Sequence, residues 1–164
     1  MNQRIRPAQP SDGPALFAAW SSLRSHNAAI DRRIVPAPVT EQEFLEAFSQ
    51  ILQRRAGATF VAQCEDRLAG FLTGSIEANQ PDRLPERHAT IGYLYVEPFC
   101  RRQGVGRELF TAFARWAGSF DGVDHFEMPV LALDQGAEAF WKALGFTPFI
   151  QRLWAPVSAG ENPG

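Results

Sequence analysis

The densest chemistry in this chain lies at residues 101–107, Arg-Arg-Gln-Gly-Val-Gly-Arg. Gly104 and Gly106 leave backbone N–H groups uncovered where a helix begins, and the positive end of its dipole favours an anion there. Arg101, Arg102 and Arg107 add cationic forks matched to phosphate oxygens. Recognition of a phosphate or pyrophosphate is the chemistry this turn offers, although a Gly-x-Gly alone also fits an ordinary tight turn. Two common phosphate motifs are excluded. A dinucleotide fingerprint needs a third Gly or Ala where Leu109 stands, and a Walker loop needs Lys then Ser or Thr where the chain has Arg107 and Glu108.

Such a turn works only if a strand and a helix hold its ends. Ile91, Tyr93, Leu94, Tyr95 and Val96 are strand formers, and Pro98, unable to donate to a ladder, ends the strand. Val105, Leu109, Ala112, Phe113 and Trp116 then recur at helical spacing, so a helix starts near Gly104. Upstream, residues 3–8 read as a strand, and Ser11, Asp12 and Pro14 start a helix running to about Arg24. Thr40 and Glu43 form the capping box of a second helix with Phe44, Leu45, Phe48, Ile51 and Leu52 as its apolar stripe.

Residues 59–64 and 67–76 read as a hairpin, and 77–88, polar with two prolines, as a loop before the central strand. Downstream, Phe126, Met128, Val130, Leu131 and Leu133 suggest a further strand. A helix follows from Asp134 with Gly145 as its cap, and 146–154 completes the series as a last strand. The order is strand, two helices, three strands, helix, strand, helix, strand, which is an α/β chain. Residues 1–154 are expected to form one domain and 155–164 a frayed tail.

The string Arg-x-x-Gly-x-Gly after a Val-x-Pro strand end, with Gly145-Phe146 further on, resembles the GCN5-related N-acetyltransferase (GNAT) family over roughly residues 3–154. The resemblance implies a single-domain mixed sheet with helices on both faces, and acetyl-coenzyme A (acetyl-CoA) as cosubstrate. It assigns the pantetheine arm and thioester to the backbone of Leu94, Tyr95 and Val96. The pyrophosphate falls to Arg101, Arg102, Gln103, Gly104, Val105, Gly106 and Arg107. A second family motif, Asn-x-x-Ala with a Tyr four residues before Gly-Phe, is only partly kept. Asp134 stands in the Asn position as a cofactor-side residue, Ala137 matches, and Trp141 replaces the Tyr that many members use to protonate the leaving thiolate. An indole has no useful acidity near neutral pH, so Trp141 reads as a core aromatic.

Histone-modifying members carry a Glu near the start of the central strand, where this chain has Thr90. His88, one alternation away with a usable pKa, and Glu97, beside the cofactor strand, are the candidate bases, and each also reads as an ordinary surface residue. The acceptor, a primary amine of a small molecule, peptide or protein, is expected to be chosen by 31–39 and 77–88. Two other functions stay open: an acyl-CoA sensor with weak or no catalysis, and a nucleotide-binding structural domain.

Composition narrows the rest. At 164 residues, 45% hydrophobic and 21% charged, the chain suits one globular domain. A net charge of −2 gives no general reason to bind nucleic acid or an anionic membrane. Cys64 and Cys100 have neither CxxC spacing nor a His cluster, so no metal site and no disulfide is expected. With no apolar leader and no long apolar run, a cytoplasmic monomer or homodimer is the expectation.

Overall fold

Five strands pair in chain order in a computed structural model that describes residues 3–161. They are β1 (Gln3–Pro7), β2 (Gly57–Cys64), β3 (Arg67–Ala78), β4 (Arg87–Val96) and β5 (Val123–Glu127). All neighbours are antiparallel except β4 and β5. That parallel pair is joined through helix α3 (Val105–Ala117), the crossover a parallel pairing requires. Helices α1 (Gly13–Ile30) and α2 (Glu41–Gln53) precede β2, and α4 (Gln135–Ala143) follows β5.

Strand alternation divides the core between two faces. Val61, Phe71 and Tyr95 pack with Leu16, Ala19 and Leu23 of α1 and Phe48 of α2. The intervening residues face α3, whose Val105, Leu109 and Phe113 are buried. Phe110 and Phe113 meet Phe126 of β5 on that side. Each such fully buried side chain contributes about 1.5–3 kcal/mol, so α3 is held by its apolar stripe. The helices thus cover both faces of a mixed sheet.

One irregularity shapes the centre. Thr73 pairs with Tyr93 but Gly74 pairs with Ile91, which leaves Gly92 as the extra residue of a bulge in β4. Opposite it, a Cβ on Gly74 would stand 2.4 Å from the Thr90 carbonyl oxygen and 2.5 Å from the Phe113 ring. Only a glycine lets β3, β4 and α3 close up at this point.

Several element ends differ from the sequence reading. Helix α1 continues past Arg24 to Ile30, because no Gly or Pro interrupts 25–30 and Ala28 and Ala29 favour helix. The loop expected at 77–88 shrinks to 79–86, since Glu77 pairs with His88 and Ala78 with Arg87. Polar side chains on an open face do not stop a ladder. Strand β5 begins earlier and ends at Glu127, ahead of Pro129 and a turn in which Asp134 N–H donates to the Leu131 carbonyl.

All of these elements except α4 belong to a compact unit that ends at Asp134, and α4 belongs to a smaller unit that starts at Gln135. In the smaller unit, Gly145 at φ +95° ends α4, with the N–H groups of Leu144 and Phe146 donating to the Trp141 carbonyl. Trp141 is buried and meets Phe140 and Phe146 edge-on. The strand expected at 146–154 forms no ladder among the described residues; Pro148 lacks a donor, and Phe149, Ile150 and Leu153 are exposed. Within the expected tail, Val157–Glu161 forms a 3-10 turn, and 162–164 lie outside the described residues.

If Gly74 sets the approach of β3, β4 and α3, Gly74→Ala overpacks the centre. A loss of about 1–3 kcal/mol in urea unfolding is expected. An unchanged midpoint would contradict the close packing at the bulge.

Candidate active site

The turn between β4 and α3 has the backbone its glycines suggested. A 3-10 turn, Pro98–Cys100, leaves the strand, and two left-handed residues follow, Arg102 at φ +60° and Gly104 at φ +84°. A non-glycine held in that region stores strain, which clusters at ligand-binding turns. Gly104 caps α3 without a side-chain hydrogen bond, and the first intrahelical donor is Glu108 N–H, to the Gly104 carbonyl. The earlier amides of the first turn therefore have no intrahelical acceptor. Nothing lies within 4 Å of where a Cβ of Gly104 would stand, so an anion can approach the backbone.

The side chains divide the work differently from the sequence reading. Arg101 turns back, its Nε donating to the Val96 carbonyl at 2.9 Å, so it ties the loop to the strand end. Gln103 Nε2 donates to the Phe99 carbonyl at 3.1 Å and braces the 3-10 turn. Glu108, in the first turn of α3, accepts from Gln3 Nε2 of β1 at 2.9 Å. Arg102 and Arg107 remain on the exposed surface of the turn.

The strand leading to this loop has one open side. Strand β5 pairs with β4 only as far as Thr90 and Glu127. From Ile91 to Val96, β4 keeps its ladder to β3 and has no strand partner on its other side among the described residues. Gly92 and Tyr93 are exposed there. Leu94, Tyr95 and Val96 thus carry packed side chains on a backbone edge that can still form hydrogen bonds, and the edge runs from the phosphate-type turn to the bulge.

At the far end, where β5 closes on β4, four side chains gather on one face. His88 and Thr90 of β4 lie across from His125 and Glu127 of β5, while Phe126 points to the α3 side. Glu127 bridges the two imidazoles, at 3.1 Å from His125 Nε2 and 3.7 Å from His88 Nε2. His88 Nε2 also lies 2.9 Å from Thr90 Oγ1. The His88 side chain is only 12% exposed, so it is not the surface residue that sequence alone allowed. Its Nδ1 is buried without a partner. A proton on Nδ1 would be an orphaned buried donor, whereas a proton on Nε2 has Thr90 Oγ1 as its acceptor, which favours the Nε2–H tautomer.

His125 Nδ1 lies 2.7 Å from Asp124 Oδ1. That hydrogen bond, aided by Glu127 and opposed by partial burial, raises the His125 pKa above its ordinary value. The ligand atoms of His88, His125 and Glu127 lie within 4.8 Å of one another. Both His125 nitrogens already meet carboxylates, and the two imidazole rings stack at 19°. His125 and its two carboxylates form a hydrogen-bonded set, and His88 stands beside it, 3.7 Å from Glu127.

On the same face, beside this strip, α1 and α2 stand off the sheet and leave a cavity of about 210 Å³. Trp20, Phe44, Phe48 and Phe71 supply most of its wall, and Thr73 and Tyr93 reach it from β3 and β4. Of the two segments expected to choose an acceptor, 31–39 contributes Val39 and 77–88 contributes no wall residue. A broader open depression along α2 is lined by that helix alone.

The candidate bases are not brought together. Glu97 lies beyond the loop end of β4, with Tyr95 Oη 3.4 Å from its carboxylate, and His88 lies near the opposite end. Nine residues of strand separate them by roughly 30 Å. Asp134, expected on the cofactor side, stands 3.7 Å from His26 of α1. Glu127 and His125 were missed by sequence reasoning. Their one visible signal is the alternation His125-Phe126-Glu127-Met128, which sets both on one face, but the pairing of that face with His88 needs the parallel register.

No helix among the described residues is long and apolar enough to cross a membrane. No curated protein matches the chain by sequence. Among solved structures, a point mutant of the BH1408 protein from Bacillus halodurans superposes with a TM-score of 0.82 at 19% identity, covering 94% of this chain and 99% of that one. The aminoglycoside N-acetyltransferase AAC(6')-Iy, solved with CoA, gives 0.72 at 19% identity, covering 94% of each chain. Glucosamine-6-phosphate N-acetyltransferase from Arabidopsis thaliana gives 0.69 at 16% identity, with 96% and 99% covered. At these identities the likeness speaks for the fold. The family model of the Acetyltransferase (GNAT) family matches residues 20–146, most of the chain, and the chain belongs to that family.

Proposed function

We propose that this protein transfers an acetyl group from acetyl-CoA to the primary amine of a small molecule, in the cytosol, with residues 1–154 as the transferase domain. The observation that carries the reading is the continuity of three features along β4. These are an amide-rich turn, an unpaired strand edge, and a proton-handling cluster where that edge ends. The turn amides from Arg102 to Arg107 suit a pyrophosphate, and the backbone of Leu94, Tyr95 and Val96 suits the amide-bearing arm that joins it to the thioester. Asp134, beside His26, is the weakest member of this set.

When bound, acetyl-CoA supplies an activated acetyl: the amine nitrogen attacks the thioester carbonyl, the C–S bond breaks, and an amide, a free thiol and one proton result. An ammonium must lose its proton first. Glu127 is our candidate acceptor for it, because its carboxylate lies at the closed end of the edge. His88, hydrogen-bonded to Thr90 and 3.7 Å from that carboxylate, would line its other side. His125 would keep the second carboxylate oxygen oriented. Glu97, at the phosphate end, is too distant to share this work. Trp141 offers no acidic proton, so the leaving thiolate takes one from water.

Three outcomes are expected. With acetyl-CoA and a panel of primary amines, free thiol should appear only when an amine is added. CoA binding with no thiol release for any amine would favour the acyl-CoA sensor, which the Trp at 141 makes the second reading.

Glu127→Gln should lower kcat by about 10²- to 10⁴-fold at neutral pH and leave CoA affinity unchanged. An unaltered kcat would remove Glu127 from the chemistry.

The raised His125 pKa has a consequence for stability. A raised folded-state value stabilises the fold fully below the unfolded value, about 6.5, and the benefit fades as pH rises through the folded value. The gap in Tm between the parent and Asp124→Asn is therefore expected to be widest below about pH 6.5 and to close at higher pH. A gap that widens with pH would contradict the pairing.

A further inference from the structure

The cavity and the proton-handling strip form one surface with two chemistries. Along β3, Thr73, Ser75 and Glu77 share the face opposite Gly74, which points at Phe113. Their partners on β4 are Tyr93, Thr90 and His88, and Thr90 in turn pairs with Glu127. Thr73 and Tyr93 belong to the cavity, and the next step along the same face reaches Ser75, Thr90 and Glu127. One strand alternation is about 7 Å and one strand spacing about 4.8 Å, so a carboxylate stands within a short tether of an apolar floor.

The wall offers little to a polar guest. Thr59 and Thr73 share a hydrogen bond at 3.0 Å, and Thr73 Oγ1 donates onward to the Ala58 carbonyl, so both threonine hydroxyl protons are already used and the Tyr93 hydroxyl is the one the wall can offer. Glu43 is the one carboxylate in the wall, and its Oε2 accepts from both the N–H and the hydroxyl of Thr40 in the cap of α2. No Lys or Arg lines the cavity. A sugar phosphate would find no cation there, and a polycation would find a single carboxylate, partly engaged in the helix cap, for its several charges; burying such groups unpaired is costly.

Volume sets the size of the guest. An apolar cavity of about 150 Å³ accepts a benzene ring. The 210 Å³ found here takes that ring with roughly two further carbons. We infer that the acceptor is a primary monoamine carrying an aromatic ring on a short alkyl tether, its ring in the aromatic cavity and its ammonium directed to Glu127. The inference rests on the acetyl-transfer reading for the fate of the amine, and on the cavity alone for its binding. The solved relatives named for aminoglycosides and glucosamine 6-phosphate act on polar amines, so this chain departs from them in the chemistry of its acceptor.

The test uses the whole protein saturated with CoA and titrated in a calorimeter with 2-phenylethylamine, glucosamine 6-phosphate and kanamycin. Phenylethylamine should bind tightest, with a negative heat-capacity change from apolar burial. Ala47, an exposed wall residue of α2, can be enlarged with little risk to folding. Ala47→Trp should weaken phenylethylamine at least tenfold and leave CoA affinity and the circular dichroism spectrum unchanged. Tighter binding of either polar amine, or an Ala47→Trp protein that binds phenylethylamine as well as the parent, would overturn the proposal. Thiol release separates the two readings. Ring binding without thiol release sinks acetyl transfer and leaves the cavity assignment standing, whereas thiol release with the polar amines alone does the reverse.

Discussion

The structure turns on where β5 leaves β4. Parallel pairing holds the two strands together through Thr90 and Glu127, and the bulge at Gly92 then shifts the register of β4 against β3. Beyond that point the backbone polar groups on one side of β4 need partners, since buried or half-buried N–H and C=O groups left unmade are expensive. A ligand carrying its own amides would answer that need. The bulge is stable only because Gly74 lets Thr90 and Phe113 come within what would be a Cβ radius. Packing between α3 and the sheet therefore sets the geometry of the open edge.

Helix α3 links the two ends of this arrangement. Its buried face, Val105, Leu109 and Phe113, fixes the helix against the sheet, and its first turn holds the amides that suit a phosphate. Arg101, by reaching back to the Val96 carbonyl, fixes the loop to the strand. Strand edge and anion turn thus behave as one rigid piece, and the cavity between α1, α2 and the sheet is a separate feature built by aromatic side chains. The loop segment at 31–39 is drawn toward that cavity by Arg24, which stacks on Trp20 and donates to the Ala37 carbonyl.

Local signals in the sequence carried far. The capping box at Thr40 and Glu43 forms as read, and Gly104 is the N-cap of α3. Both depend on neighbours a few residues apart. What sequence could not carry was register. His88 looked like a lone histidine because its partners, His125 and Glu127, come from a strand 37 residues away that pairs in parallel. Glu97 looked equivalent to His88 because both flank β4, yet the strand's length separates them. Pro148 was a legible warning against the last strand, overridden by the apolar run around it.

The central claim is that the unpaired edge of β4 and the first turn of α3 together form the binding groove for acetyl-CoA. Amide hydrogen exchange with and without saturating CoA reads those backbone groups one by one. The account predicts added protection at 91–96 and 102–107, with 67–78 on the already paired β3 little changed. Saturable CoA binding that leaves the amides of 91–96 and 102–107 exchanging as in the free protein would contradict it.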